Sequence, residues 1–204
     1  MKKIMFNDKF GLTKAVLEGR KTITRRSIPK KLLENIELYA HGNEEELRHR
    51  LRANSSYHVG EVVAIAQSYK DIGERGFVQE KPTQGDEYIR FGDGGGTEHV
   101  WAENHAGWTN KMFVKADLMP HHIKITNIRV EHLQDISDED CLREGIYMDY
   151  DAHGGLPFYD YNNNQHNGFD TPREAFAALI DKVSGRGTWD SNPMVWVYEF
   201  ELVD

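Results

Sequence analysis

The strongest pattern of apolar and polar positions lies near the C-terminal end of the chain. Its apolar residues recur at i, i+3, i+4 and i+7, namely at Phe176, Leu179, Ile180 and Val183. This is the spacing of one helix face. Residues 171–174 form a capping box with proline at the first helical position, and Ser184-Gly185 follows, so we expect a helix that stops there. Residues 194–202 then alternate, which predicts a half-buried strand.

The first quarter of the chain predicts helices on either side of an extended segment. Residues 10–19 indicate a short helix, because apolar side chains share one face and Gly19 follows at a C-cap position. The β-branched residues at 22–24 then favour extended backbone. Residues 30–54 are rich in Leu, Glu and Arg, and they predict helix with a break near 41–43.

The middle of the chain carries two strand patterns and one short helix. Residues 58–66 predict a turn that leads into a buried strand. Residues 123–131 alternate with a slip of phase at 126–127, which predicts a β-bulge or bend. Residues 137–144 predict a short helix, with Ser137 as its N-cap and acids in its first turn.

Long polar stretches separate these elements. The segments 71–107 and 147–169 are rich in glycine, asparagine or aspartate, and they predict long irregular loops. Short strands, helices between distant strands and the absence of regular βαβ alternation predict the α+β class, as a small mixed sheet or open barrel with helices on its rim. We expect a single domain over residues 1–204, with insertions near 32–56, 70–107 and 147–169.

Composition and charge narrow the choice of function. The chain is 39% hydrophobic with a formal net charge of −8, which disfavours a protein that coats DNA or RNA nonspecifically. No apolar run approaches the roughly 20 residues of a membrane helix, and no secretory signal follows the N-terminal lysines. The single cysteine, Cys141, suits the reducing cytoplasm.

The most informative chemistry lies in the segment 19–26, Gly-Arg-Lys-Thr-Ile-Thr-Arg-Arg. A lysine beside hydroxyl groups can activate a nucleophile, and arginines can hold a phosphate or a base. Lys21 reaches Thr24 only if the segment bends, because residues three apart in a strand face opposite ways. Thr22 is the alternate hydroxyl. In the alternative interpretation, Lys21, Arg25 and Arg26 are solvated surface charges.

Charge is distributed unevenly around this segment. Residues 20–31 contain six basic side chains and no acid. A local positive site on an acidic protein fits a small anionic ligand or a single nucleotide.

Other candidate residues lie in the C-terminal half. Glu144 is the last residue of its helix, where the helix dipole disfavours an acid. Either a lysine or a ligand stabilises the Glu144 carboxylate there, or the carboxylate is solvated. Trp189 is a candidate wall of a site, whereas Trp196 belongs to the core. Asn192 either contacts a base edge or closes a turn, and the turn is favoured.

Histidine spacing predicts no metal site and no cofactor, and Cys141 is predicted to be buried rather than nucleophilic.

Several segments together resemble the ASCH domain family. The segment 19–26 matches the N-terminal signature of the family, and residues 59–63 match its strand entry. The ASCH proteins of bacteriophages and prophages are the most similar group. The further matches to this group are residues 119–120, 125–131, 133–146, 187–193 and the final strand. The resemblance implies a PUA-like fold, which is a small mixed β-barrel with peripheral helices, and an association with RNA.

A smaller ASCH group hydrolyses N(4)-acetylcytidine to cytidine and acetate. The resemblance implies that Lys21 activates Thr24, that Thr24 attacks the acetyl carbonyl, and that Glu144 helps to transfer a proton to the leaving amine. Arg26 or backbone N–H groups steady the oxyanion. The further predicted ligand-binding residues are Arg20, Thr22, Arg25, Arg26, Trp189 and Asn192.

Three functions follow as hypotheses. The first is a PUA-like pocket that binds RNA or a modified nucleobase. The second is an amidohydrolase that deacylates a nucleoside through Lys21, Thr24 and Glu144. The third is a phage-derived interaction protein without catalysis.

Overall fold

The computed structural model describes residues 1–73, 106–150, 155–161 and 168–203. Within these ranges the strands are β1 (Lys3–Ile4), β2 (Ile23–Ser27), β3 (Val62–Ile65), β4 (His122–His132), β5 (Tyr147–Tyr150), β6 (Pro157–Asp160) and β7 (Met194–Leu202). The α-helices are α1 (Leu12–Leu17), α2 (Lys30–Ala40), α3 (Glu44–Ala53), α4 (Tyr69–Gly73), α5 (Asp138–Arg143) and α6 (Pro172–Ser184). None of the described helices is long and apolar enough to cross a membrane.

The strands form a five-stranded mixed sheet and a separate two-stranded one. The order of the large sheet is β1-β3-β4-β7-β2, so that β1 and β2 are its edges, and the described strands do not close into a barrel. Strand β1 is parallel to β3, whereas β2 is antiparallel to β7. The predicted α+β class is therefore confirmed.

The chain divides into two compact units. The first comprises residues 1–6, 62–123 and 203–204, of which 74–105 and 204 lie outside the described residues. It contains β1, β3 and α4, and its buried apolar cluster consists of Ala64, Tyr69, Ile72, Val114 and Met119. Most of the loop predicted at 71–107 falls outside the described residues.

The second unit comprises residues 7–61 and 124–202. Strand β2 pairs with β7 in a register that runs from Ile23 opposite Glu199 to Ser27 opposite Val195. The five residues from Met194 to Tyr198 are all buried, so the half-buried character predicted for this strand is wrong there. Both faces of β7 are covered, and the Trp196 indole donates to the Leu51 carbonyl of α3 at 2.8 Å.

Local signals place most element ends correctly. The Thr171 capping box and Pro172 begin α6, Ser137 caps α5, and His41 ends α2 at the predicted break. The phase slip is also confirmed, because the neighbours Thr126 and Asn127 of β4 are both exposed. The loop predicted at 147–169 is wrong in part, since β5 and β6 pair antiparallel there. Residues 151–154 and 162–167 of that stretch are not described.

Candidate functional site

The backbone of Lys21 and Thr22 is held by three elements of the second unit. The Lys21 N–H donates to the Ala15 carbonyl of α1 at 3.0 Å, and the Thr22 N–H donates to the Arg143 carbonyl of α5 at 2.9 Å. The Thr22 carbonyl accepts from the Phe200 N–H of β7 at 2.9 Å. The chain therefore passes from α1 into β2 directly against the C-terminal end of α5.

This path brings the Lys21 ammonium to Glu144, the C-cap residue of α5. The Lys21 Nζ donates to the Glu144 backbone carbonyl at 2.8 Å and also to its carboxylate Oε2. The two side chains are only 2% and 6% exposed. An ammonium at the last carbonyls of a helix offsets the unfavourable position of the Glu144 carboxylate. The interpretations of Lys21 as a surface charge and of Glu144 as a solvated glutamate are both wrong.

Arg25 joins the same pair from β2. Its guanidinium is 1% exposed and donates to Glu131 Oε1 at 2.6 Å, to Asp140 Oδ2 at 3.0 Å and to Glu144 Oε1 at 3.2 Å. The planar fork of arginine suits this arrangement, because it can face several carboxylates at once. Arg25 is therefore a buried organising residue and not a surface charge.

Further ion pairs extend the cluster across α5, β4 and β7. Arg129 lies 2.8 Å from Asp140 and 3.2 Å from Glu199. Arg143 lies 3.2 Å from Asp140 and 3.1 Å from Glu199. We call the complete set the ion-pair cluster, and its members are Lys21, Arg25, Arg129, Glu131, Asp140, Arg143, Glu144 and Glu199. Four cations face four carboxylates in it, so the cluster is close to neutral.

Burial and these partners shift the pKa values within the cluster. Burial lowers the pKa of Lys21, and the Glu144 carboxylate opposes this effect without cancelling it. Burial also acts to lower the pKa of Arg25, but the carboxylates of Glu144 and Glu131 outweigh it and the pKa is raised. For Asp140, burial acts to raise the pKa, and hydrogen bonds from Arg129 and Arg25 reverse this and lower it. Lys21 is thus easier to deprotonate than an exposed lysine.

Thr24 lies in β2 opposite Tyr198 and is only 4% exposed. Because side chains alternate along a strand, Thr24 and Arg26 share one face and Arg25 points to the other. Lys21 precedes the strand, so the alternation does not place it on either face. The nearby Arg26 charge contributes to the lowered Lys21 pKa, whereas within the described residues no hydrogen bond joins the Thr24 hydroxyl to Lys21 or Glu144. Of the three predicted catalytic residues, Lys21 and Glu144 are therefore in contact, whereas Thr24 is buried on the face of β2 opposite to Arg25.

The remaining residues of the 19–26 segment have structural partners. The Arg20 guanidinium contacts Glu18 at 2.8 Å and the Tyr147 hydroxyl at 2.6 Å, and it lies over the Tyr147 ring. The Thr22 hydroxyl accepts from the Arg143 Nε at 3.1 Å. Much of the positive charge seen in the sequence is therefore paired with acids from the same or distant segments.

Trp189 and Asn192 lie in the turn before β7. The Trp189 ring meets the Phe176 ring edge-on at 6.1 Å, and Phe176 also lies 6.0 Å from the Arg25 guanidinium. Asn192 has a left-handed backbone, with φ of 42°, and its side chain accepts from the Gln134 N–H at 2.8 Å. This geometry is that of a turn residue, as the sequence favoured, and it commits the Asn192 amide oxygen to the protein itself.

Glu131 and Asp140, which complete the cluster around Arg25, are not among the residues that the sequence predicts for the site. The three acids in the first turn of α5 were explained by the helix dipole alone. A buried arginine needs carboxylate partners, but nothing in the local sequence shows that Arg25 is buried. Its partners therefore could not be sought from the sequence.

Comparison with known proteins adds no identification. No family model, curated protein or solved structure matches this chain. Among the described residues, no group of three or more His, Cys, Asp or Glu side chains is arranged to hold a metal ion. Within the described ranges, the ion-pair cluster contains four of the five buried charged residues, and it is therefore the candidate functional site.

Proposed function

We propose that the second unit binds a modified nucleobase or nucleoside beside Lys21 and Glu144, as an ASCH-type protein of the phage and prophage kind. The observation that carries the proposal is the contact of the buried Lys21 ammonium with the buried Glu144 carboxylate. The single Cys141 supports a place in the cytoplasm. Closure of the sheet into a PUA-like barrel is part of the proposal.

The chemistry of this pair suits the edge of a base. Bases present hydrogen-bond donors and acceptors side by side, and an ammonium donates where a carboxylate accepts. Burial strengthens such hydrogen bonds, because water competes less for the same groups. Lys21 and Glu144 therefore supply a donor and an acceptor at one position, and a base that binds there takes over the hydrogen bond that the two side chains make with each other.

The charges favour a single base over a nucleic-acid backbone. Binding to consecutive phosphates needs cations that are free to replace counterions. Lys21 and Arg25 are instead paired with carboxylates, and Arg20 contacts Glu18. We therefore propose recognition of one nucleoside, either free or turned out from a single-stranded RNA.

A second candidate function is hydrolysis of an acylated nucleoside, and the lowered pKa of Lys21 favours it. Neutral Lys21 would take the proton of the Thr24 hydroxyl as the oxygen attacks the acetyl carbonyl carbon. The tetrahedral intermediate would then break its C–N bond, with Glu144 assisting proton transfer to the departing amine. Water would hydrolyse the acyl-threonine, release acetate and restore the hydroxyl.

Binding is tested by titrating the protein with cytidine and with N(4)-acetylcytidine in a calorimeter. We expect a complex that Lys21→Met abolishes and that Lys14→Met leaves intact, since the Lys14 side chain is 68% exposed. The affinity should change little with salt, because no phosphate contact is made. Equal affinity for the two variants would overturn the proposal.

Hydrolysis is tested separately by following cytidine release from N(4)-acetylcytidine by chromatography. Thr24→Val keeps the shape of the side chain and removes its hydroxyl, so we expect turnover to stop while binding persists. Glu144→Gln should slow the reaction and retain the fold. Binding without turnover in the wild-type protein would reject hydrolysis and leave the binding proposal standing.

A further inference from the structure

A second concave surface lies in the same unit, between α2, α3 and the turn before β7. The cavity has a volume of about 490 Å³, which is within the usual range for small-molecule sites. It is lined by Leu33, Glu37, Glu44, Leu47, His132, Asn192, Pro193 and Met194. None of these residues belongs to the ion-pair cluster. Asn192 is among the predicted ligand-binding residues, but its amide oxygen already accepts from the Gln134 N–H, so the cavity is argued without it.

Each helix contributes one leucine and one glutamate to the cavity. On α2, Leu33 and Glu37 are four residues apart, and on α3, Glu44 and Leu47 are three apart. Residues at these spacings share one helix face. Each helix wall therefore offers an apolar side chain with a carboxylate beside it.

Pro193 and Met194 supply the apolar side of the cavity opposite the helices. Met194 is 7% exposed and belongs to β7. A methionine side chain is flexible and polarizable, and it adapts to ligands of different shape. The interior of the cavity thus favours an apolar group, whereas its helix walls carry negative charge.

The two carboxylates differ in their protein partners. Glu44 Oε1 contacts Arg48 at 2.6 Å, and Arg48 also donates to the Val130 carbonyl. Glu37 forms no ion pair within the part of the chain that the structure describes, and it is exposed at the cavity wall. The formal charges at the cavity edge, two carboxylates and one guanidinium, sum to −1. The His132 imidazole also lines the cavity, and its Nδ1 contacts the Asn192 carbonyl at 3.2 Å.

We propose that this cavity binds a small organic cation, specifically an ammonium group carried on an apolar body. The apolar body would lie against Leu33, Leu47 and Met194, and the ammonium would lie between Glu37 and Glu44. Attraction to the two carboxylates offsets the hydration free energy that a cation loses on binding, whereas an anion of the same shape would be repelled by them.

The test uses three probes of similar shape and different charge. They are 2-phenylethylamine, its neutral analogue 2-phenylethanol and the anion 3-phenylpropanoate. Each is titrated into the isotopically labelled full chain and followed by NMR. We expect the amine alone to shift the resonances of Leu33, Leu47 and Met194 in a saturable manner. Ethylamine, which lacks the ring, should bind more weakly.

Variants of single carboxylates complete the test. Glu37→Gln and Glu44→Gln should each lower the affinity for the amine about two- to fivefold, which is typical of the loss of a partly exposed charge pair. Glu45→Gln is the matched control, because Glu45 lies on the same turn of α3 but does not line the cavity. The spectra of the free variants check that they fold.

The proposal is overturned by any of three results. The first is equal binding of the alcohol or the carboxylate probe. The second is an affinity for the amine that neither Glu37→Gln nor Glu44→Gln changes relative to Glu45→Gln. The third is the absence of amine-dependent shifts at the cavity residues.

Discussion

The Lys21 ammonium donates to both the backbone carbonyl and the carboxylate of Glu144, although the two residues are 123 positions apart in the chain. One side chain thereby caps the C-terminus of α5 and neutralises its last acid. The contact joins the start of β2 to the end of α5. Stability and the proposed chemistry consequently depend on the same pair.

Removing the lysine from this pair should be costly. We expect Lys21→Met to lower the free energy of unfolding by about 3–5 kcal/mol, because it leaves a buried carboxylate without that cation. The double variant Lys21→Met/Glu144→Gln should lose less free energy of unfolding than the sum of the losses of the two single variants. Urea unfolding measures each value.

The matched control for this experiment is the exposed pair of Lys14 and Glu18, whose charged atoms are 3.6 Å apart. Lys14→Met should cost less than about 1 kcal/mol, because solvent screens such pairs. Similar losses for Lys14→Met and Lys21→Met would contradict the assigned burial of the Lys21–Glu144 contact.

Replacing Arg25 by lysine tests whether its planar fork is needed. A single ammonium cannot reach Glu131, Asp140 and Glu144 together, so we expect Arg25→Lys to cost about 2–3 kcal/mol. Arg50→Lys is the control, because Arg50 pairs with Glu46 on the surface of α3, and it should change stability by less than about 0.5 kcal/mol. Thermal and urea unfolding compare the two, and the prediction fails if both variants match the wild type.

The ion-pair cluster should make stability fall in acid. The pKa of Asp140 is lowered from its ordinary value of 3.8, so the unfolded chain binds this proton more readily than the folded chain does. Its contribution is present above pH 3.8 and is lost as the pH falls through the folded pKa. The pKa of Glu199 is also lowered, from 4.5, which adds to the same trend.

Urea unfolding at a series of pH values between 7 and 2 checks this prediction. The variant Asp140→Asn should be less stable than the wild type at neutral pH, and its stability should depend less on pH below 4. The control Glu45→Gln should keep the steep acid dependence of the wild type. If the stability of Asp140→Asn changed with pH in parallel with that of the wild type, Asp140 would not be a source of the acid dependence.

Cys141 should be unreactive in the native protein. Its side chain is fully buried in α5, and burial raises the pKa of the thiol to about 12. At pH 8 only about one thiol in ten thousand would be ionised. We expect no labelling by a thiol reagent within the time that labels the urea-unfolded chain completely, and rapid labelling of the native protein would contradict the assigned burial.

The helices could be predicted from the sequence because their signals are local. The Thr171 capping box, the proline at position 172 and the Ser137 cap act within one helical turn, and each lies where the sequence placed it. The hairpin of β5 and β6 could not be predicted in the same way. Its stretch is rich in turn-forming residues, and the strands are stabilised by pairing with each other.

The candidate site was only partly accessible from the sequence. The sequence points to Lys21, Thr24 and Glu144, and the contact of Lys21 with Glu144 joins two of them. The catalytic roles assigned to them stay predictions. Glu131 and Asp140 were not selected, because an acid on a strand or in a helix's first turn has an ordinary local explanation.

By itself, the sequence determined most of the helices and the longer strands, since caps, turn residues and apolar periodicity act over a few neighbouring residues, whereas the paired strands β5 and β6 were not determined in this way. Only the tertiary structure decided which charges are buried and paired. Arg25 on β2, Glu131 on β4 and Glu144 at the end of α5 meet because the sheet and the helix bring distant segments together. Coulomb attraction and desolvation depend on distance in space and on exclusion of water, and neither is encoded in the local sequence pattern.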